Sequence, residues 1–480
     1  MSFERGRFRL SASLRSLVPR SVSEILSVTL RRVGDGGQDA FLAKEQALLE
    51  QGEQIRGTFW IAGREDMATA GVLRWSRGDG AELWLINVSA DWPGIWHGSG
   101  YSDGPLTVHG TSTTGKKISL LHVYVASSSF GSGAPQLRLV ARRLVLFRHC
   151  TDDDRWKRLV MRTANLHEWM PITGFDPPEM IMDRRFQLRE YGVHWKVPRG
   201  KRVVLSDAEV RFEPRMITDP APWRPNRVIR TTMDIAVISK ERKTLGELHE
   251  RYVMPLRDLL VIAGAVPDAL LFESVTIGRQ PSAVVLETGI EPTARDWPRP
   301  DRQFLFYALD IPDFRAGLKK WFALHTRVSP ALQYFAESIN ENKYSHARLL
   351  SVASTLETYH RSLYDAAWRR TYKRKNPNKK TRGPFLLERI THLQRISGVP
   401  EGITGFSEAG RQLFVASRNH FAHLNEPRYG YSTQDVYDNA IPSIARGVAL
   451  VHACVMRRLG FTARQTKERI ELIHGHLVRQ

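Results

Sequence analysis

The sequence predicts an α+β multidomain protein: an N-terminal antiparallel β-rich region, sandwich-like or barrel-like, followed by a C-terminal all-α bundle. Three observations predict it. From about residue 54 to 289, short aromatic and β-branched runs alternate with Gly and Asp turns. A segment with three prolines, IEPTARDWPRPDRQ at 290–303, then reads as a linker. Beyond it the apolar spacing switches to that of helices. The expected organisation is a flexible basic extension over 1–48, a β-rich region over 49–300 and a helical region over 301–480.

Each element has its own signal. QIRGTFWI, AGVLRWS and AELWLIN open the β-rich region, and ISLLHVYVA, QLRLVARRLVLF, KRVVLSDAEVRF and TMDIAVIS continue it. Leu137, Leu139 and Ala141 alternate, and then Leu144 and Leu146, as antiparallel strands do. One helix interrupts the strands at 244–266, where Thr244 and Glu247 form a capping-box pattern. LLFESVTIG and SAVVLETG predict two more strands. In the helical region, Phe314, Leu318, Trp321, Phe322 and Leu324 share one stripe. Further helices fit 346–364, 384–396, 407–424, 433–459 and 462–478. There is no internal repeat.

The chain has 480 residues and a formal net charge of +20. A balance that basic points to a polyanionic partner. Residues 331–480 hold 23 Lys and Arg against 12 Asp and Glu, so the helical region is the expected polyanion binder. Cys150 and Cys454 lie far apart and form no zinc-ligand spacing, which fits a reducing cytoplasm. The apolar run LLVIAGAV at 259–266 is too short to cross a bilayer, and no membrane is expected. Residues 1–33, rich in Arg and Ser, share the composition of a transit peptide, but a basic extension is the preferred reading.

The stretch RNHFAH at 418–423 carries the densest chemistry. Asn419 and His423 share a helix face, while Arg418 lies about 140° round from His423 at 100° per residue. Arg418 and His423 converge only if the helix ends near His423, which Asn425, Pro427 and Gly430 favour. Such a pair suits phosphodiester cleavage. Histidine exchanges a proton near neutral pH, and arginine forks onto phosphate oxygens. RNA supplies its own nucleophile in the 2′-OH, so neither metal nor cofactor is required. Glu357 sits on an otherwise apolar helix face and needs a partner, for which Arg418 is the natural candidate. RRTYKRKNPNKKTR at 369–382 holds eight Lys or Arg and no acid. It reads as a cationic loop whose Arg369, Arg370, Lys373, Arg374, Lys375, Lys379, Lys380 and Arg382 meet an anion, with Tyr372 as a stacking surface.

Other candidates are weaker. His97, His109 and His122 match no common metal-ligand set. TDDDR at 151–155 reads as a solvated turn, and GDGG at 34–37 lacks the strand and helix of a phosphate loop. Trp60, Trp75, Trp84, Trp92 and Trp96 read as core of the first β segment.

The helical region resembles HEPN domains, whose ribonuclease members carry an Arg-x(4–6)-His motif with a polar residue after the Arg. RNHFAH matches that motif, and STLETYHR at 354–361 resembles the Glu-bearing earlier helix. The β-rich region is similar to the N-terminal domain of ApeA-like anti-phage proteins, in GTFWIAG at 57–63, GVLRW at 71–75 and ELWL at 82–85. The resemblance implies a metal-independent endoribonuclease in anti-phage defence, acting on RNA, with tRNA one candidate. It implies Arg418 and His423 as catalytic, Asn419 as their support and Glu357 as the group that orients the site. It also implies a homodimer through the helical domain that joins two Arg–His pairs in one cleft. The β-rich domain would then be a sensor for a phage-derived trigger. His420 has no place in the motif. A non-catalytic RNA- or nucleotide-binding module and a structural interaction protein remain the alternatives.

Overall fold

The computed structural model describes residues 8–10, 54–92, 106–172, 179–218, 229–264, 270–277, 283–287, 304–340, 345–375 and 383–478, a few single positions and short stretches within these spans aside. The chain forms two compact units. One comprises 1–246 with 270–291, the other 247–269 with 292–480.

The first unit is antiparallel β, as expected. Among the described residues its strands number fifteen and begin with β1 (Phe8–Leu10), which pairs with β10 (Leu188–Trp195). Three residues of the expected flexible extension are therefore ordered strand, and the rest of 1–48 lies outside the described residues. Six strands close a barrel: β2 (Ile55–Ile61), β3 (Thr69–Ser76), β4 (Gly80–Ile86), β5 (Leu106–Ser112), β6 (Lys117–Ser129) and β7 (Gln136–Leu146), in the ring order 7-4-3-2-5-6. Alternate residues point inward. Phe59, Leu73, Trp75, Leu83, Leu85, Val108, Leu120, Leu137 and Leu139 fill the interior. Gly110 lets β5 pass over the Phe59 ring, where a Cβ would lie 2.3 Å from a ring carbon. The barrel alternative thus holds over the sandwich.

Strand β7 also starts a second sheet. β6 lines one edge of β7 throughout, while β4 pairs with 136–141 on the other edge and β15 (Ala283–Glu287) with 143–146. From β15 the order runs through β14 (Leu270–Thr276), β8 (Arg155–Thr163), β13 (Ile229–Thr244) and β12 (Ala208–Thr218) to β11 (Lys201–Val204). Leu159, Met161, Phe212, Ile235 and Val237 bury one face, and Trp169 of the short helix α1 (Leu166–Trp169) tilts against Phe212. On the other face the buried Asp234 accepts from Arg162 and Arg215, each at 2.7 Å. Strands β1, β5, β8, β9 (Glu179–Met182) and β10 escape the sequence reading. β5 is interrupted by His109 and Gly110, and β8 carries four basic residues that mask its alternation.

The interrupting helix is real, but it folds with the helical unit and not within the β-rich region. The short helix α2 (Leu245–Leu248), a π-helical turn His249–Val253 and α3 (Met254–Gly264) run on continuously. The indole of Trp321 donates to the Pro255 carbonyl at 2.7 Å, and His325 meets the buried Asp258 at 2.8 Å. Trp321 and His325 lie on α4 (Phe314–Val328). The contiguous 49–300 boundary is therefore corrected, because contacts distant in sequence outweigh chain order here.

Next come α5 (Ala331–Asn340), α6 (Ser345–Lys375), α7 (Leu386–Ser397), α8 (Glu401–Thr404), α9 (Glu408–His423), α10 (Thr433–Asp438), α11 (Ala440–Leu459) and α12 (Ala463–Val478). The expected helix over 433–459 is two helices, divided at Asn439. Helix α11 has the length and hydropathy of a membrane span, yet 72% of that window is buried within the protein, as a core helix requires. Gly447 on α11 takes the closest approach. A Cβ there would lie 2.4 Å from Val352 of α6 and 2.9 Å from Phe414 of α9.

A buried polar cluster joins α6 to α7. Asp365 accepts from Arg389 at 2.7 Å and from Arg369 at 3.4 Å. Arg389 also reaches His360 Nδ1 at 3.1 Å and donates to the Pro384 carbonyl. His360 Nε2 contacts His392 Nδ1 at 2.9 Å. Burial, then the Arg389 guanidinium, pushes His360 down to about 4 from its ordinary 6.5. Burial also lowers His392. Asp365 is raised by burial but held low by Arg389 and Arg369, which outweigh it.

Two outcomes follow from this packing. Replacing Gly447 with Ala should destabilise the helical unit by roughly 1–3 kcal/mol through overpacking, read as a lower midpoint in urea. The second concerns pH. His360 is neutral when folded and takes a proton more readily when unfolded. Its contribution is complete above pH 6.5 and is lost as the pH falls toward about 4. Thermal melts followed by circular dichroism should show a falling midpoint across that window. A midpoint that stays constant there would contradict the assignment.

Candidate active site

Helix α9 places the site. Ser407 caps it by accepting from the Gly410 N–H at 3.2 Å. Leu413, Phe414, Ala416, Ser417 and His420 form its buried face. Arg418 and Asn419 stand on the flank, partly exposed, and His423 is exposed. The helix stops where the sequence suggests. Leu424 adopts left-handed backbone at φ 53° and its N–H closes onto the His420 carbonyl at 2.6 Å. A non-glycine residue rarely takes that conformation. It makes His423 the last helical residue and leaves its ring open to solvent.

The structure brings the four expected site residues together. Arg418 Nη1 donates to Asn419 Oδ1 at 3.0 Å and lies 3.4 Å from His423 Nε2. Arg418 Nη2 lies 3.8 Å from Glu357 Oε2 on α6. The 140° of helical arc between Arg418 and His423 is bridged by the length of the arginine side chain at a helix end. Because arginine only donates, the contact suits a neutral imidazole with its proton on Nδ1. One guanidinium thus touches an amide oxygen, a carboxylate and an imidazole.

Arg361 also belongs to this group, and the sequence reading missed it. Its Nη2 donates to Glu357 Oε1 at 2.7 Å, closer than Arg418 approaches. Glu357 is therefore shared between Arg361 and Arg418. The signal was the i,i+4 spacing of Glu357 and Arg361 on one helix. His420 points to the buried side of the helix. Its ring packs edge-on to Phe421 at 5.4 Å and Tyr437 at 5.7 Å.

The cationic segment differs from expectation. Arg369, Arg370, Lys373, Arg374 and Lys375 are the last turns of α6, not a loop. Continuous helix is favoured because Trp368 and Tyr372 stack at i,i+4. Lys379, Lys380 and Arg382 lie outside the described residues, as do His97, Trp96, the GDGG stretch and the 290–303 linker.

The remaining candidates are built into the barrel unit. His109 and His149 stack with centroids 4.9 Å apart, and each Nε2 meets a backbone carbonyl, of Cys150 and Gly110 respectively. His122 pairs with Asp152 at 3.0 Å, and Asp154 accepts from the Thr151 N–H, so TDDDR is a turn. Trp75 and Trp92 are core, whereas Trp84 is exposed on β4 with Arg138 over its ring. Both cysteines are buried and unbridged. Burial raises the Cys150 thiol to about 11 and the Cys454 thiol to about 12, which leaves neither as a ready nucleophile.

Comparison with known proteins adds one match. The family model for ApeA N-terminal domain 1 covers residues 54–321. No curated protein and no solved structure matches the chain. The match takes in the barrel, the second sheet and α3, and ends within α4, before the helices that carry Glu357 and Arg418. More than half of the sequence falls inside it, and the chain belongs to the ApeA N-terminal domain 1 family.

Proposed function

We propose that this protein is a metal-independent endoribonuclease of anti-phage defence, with its reaction centre at Arg418 and His423. The observation that carries this reading is the single guanidinium of Arg418 shared by His423, Asn419 and Glu357. Family membership supports the defence role, and abortive infection is the form of defence it suggests. The helical unit is read as a HEPN domain on its Arg-x4-His motif and on the Glu-bearing helix packed beside it.

In this reading RNA brings a phosphodiester against Arg418. The guanidinium leaves His423 Nε2 for the phosphate oxygens, where charge builds in the transition state. The freed Nε2 lone pair takes the proton of the 2′-OH as that oxygen attacks phosphorus. The P–O5′ bond breaks, and the leaving oxygen receives a proton from an imidazolium. The products are a 2′,3′-cyclic phosphate and a 5′-hydroxyl. Asn419 and Glu357 hold the guanidinium in plane, and Arg361 holds Glu357. The single His423 beside Arg418 cannot be base and acid in the same step, so a homodimer through the helical domain supplies the second imidazole. The helical end of α6 gathers RNA by charge, the β-rich unit responds to a phage-derived trigger, and the cytoplasm is the site of action.

Purified protein should cleave RNA in excess EDTA. Arg418→Ala and His423→Ala should each lower turnover by roughly 10²–10⁴ while leaving mass by light scattering at that of a dimer. RNA with a 2′-deoxy sugar at the cut position should be inert. Activity that vanishes in chelator and returns with Mg²⁺ would overturn the mechanism, and a fully active monomer would overturn the composite site.

A further inference from the structure

The ribonuclease reading leaves open whether the substrate is paired or single-stranded, and α6 bears on that choice. At 100° per residue, Glu357, Arg361, Trp368 and Tyr372 fall within about 60° of arc on one face of α6. Trp368 lies eleven residues beyond Glu357, or about 16 Å along the axis. Its indole stacks on the Tyr372 ring with centroids 5.0 Å apart and planes 15° from parallel. Both rings are half-buried. Around them Arg369, Arg370, Lys373, Arg374 and Lys375 are exposed, and residues 366–375 contain no acid. Nearer the reaction centre Arg361 is exposed as well, its side chain 59% open.

We propose that this face of α6 is a track for single-stranded RNA, and that Trp368 and Tyr372 form the platform on which an unpaired base stacks a few nucleotides from the cleaved bond. The inference rests on the ribonuclease reading and narrows its substrate to unpaired RNA. Charge complementarity selects a polyanion. Five cations crowd the last turns of one helix, Arg369 among them reaching back to Asp365, and such a density of positive charge suits a phosphate backbone. The paired rings select unpaired strands, because a base in a duplex already stacks on its neighbours and has no face to offer, whereas a splayed base stacks on aromatic side chains. A continuous helix also suits a track better than a loop does, since it fixes the distance between platform and reaction centre.

The test separates binding from cleavage. Full-length His423→Ala protein is titrated with a fluorescent single-stranded RNA dodecamer, with the same sequence as duplex, and with a trinucleotide. Tight binding of the dodecamer alone is expected. Adding Trp368→Ala or Tyr372→Ala should weaken it roughly 5- to 100-fold. Trp368→Phe, which keeps a ring, should recover most of the loss. Unchanged helicity by circular dichroism shows that α6 persists in each variant. An abasic site placed along the dodecamer should cost affinity at one position, set back from the cut. Equal affinity for duplex, or ring removal without effect while Lys373→Ala with Arg374→Ala weakens binding, overturns the platform and leaves charge alone. Absence of RNA binding, or a variant that alters only the mass of the particle, assigns the face to a protein contact and also overturns it. If ring-dependent RNA binding holds but the wild type cleaves nothing, the platform stands and the ribonuclease reading falls.

Discussion

The close approach at Gly447 is the constraint on which the candidate site depends. With no side chain there, α11 comes near enough for its backbone to meet Val352 of α6 and Phe414 of α9 together. Val352 lies five residues before Glu357, and Phe414 lies four before Arg418. The helices carrying the carboxylate and the guanidinium are therefore positioned against one common surface. Tyr359 reinforces it by donating to the Cys454 carbonyl of α11 at 3.1 Å. Packing of this kind sets a 3.8 Å ion contact more firmly than the contact sets itself, because a partly exposed pair is worth little on its own.

Further along α6 the protein uses buried charge in place of apolar packing. Asp365 draws two arginines toward itself, one on its own helix and one on α7. An ion cluster of this sort is costly to bury, and removing one member is costlier still. It ties α7 to the stretch of α6 that precedes the exposed basic turns. The cluster thus anchors α6 between the candidate site at Glu357 and the exposed cationic turns at its C-terminal end.

Much of this was legible in one dimension. Aromatic and β-branched runs between turns marked β2, β3, β4 and β6, alternation marked β7, and the 3.6-residue period marked α4 and α6. The end of α9 at His423 could be read from the residues that follow it. What was hidden had physical causes. Strand β8 lies between β13 and β14 and its basic residues fall at both parities, Arg155 and Lys157 at one and Arg158 and Arg162 at the other, so no polar alternation shows. The segment RRTYKRK has the charge density of a solvated loop, yet stacking between Trp368 and Tyr372 and the Asp365–Arg369 pair accompany its helix.

The sequence by itself determined the two structural classes, the order in which they occur and the placing of arginine, asparagine and histidine at a helix end. Those depend on periodicity, turn chemistry and caps, which act between near neighbours. Only the tertiary structure decided that six strands close into a barrel, that α3 joins the helical unit, and that Glu357 divides its carboxylate between Arg361 and Arg418. Each of these depends on which faces meet across long stretches of chain. Burial and shape settle that choice, and neither is a property of any local segment.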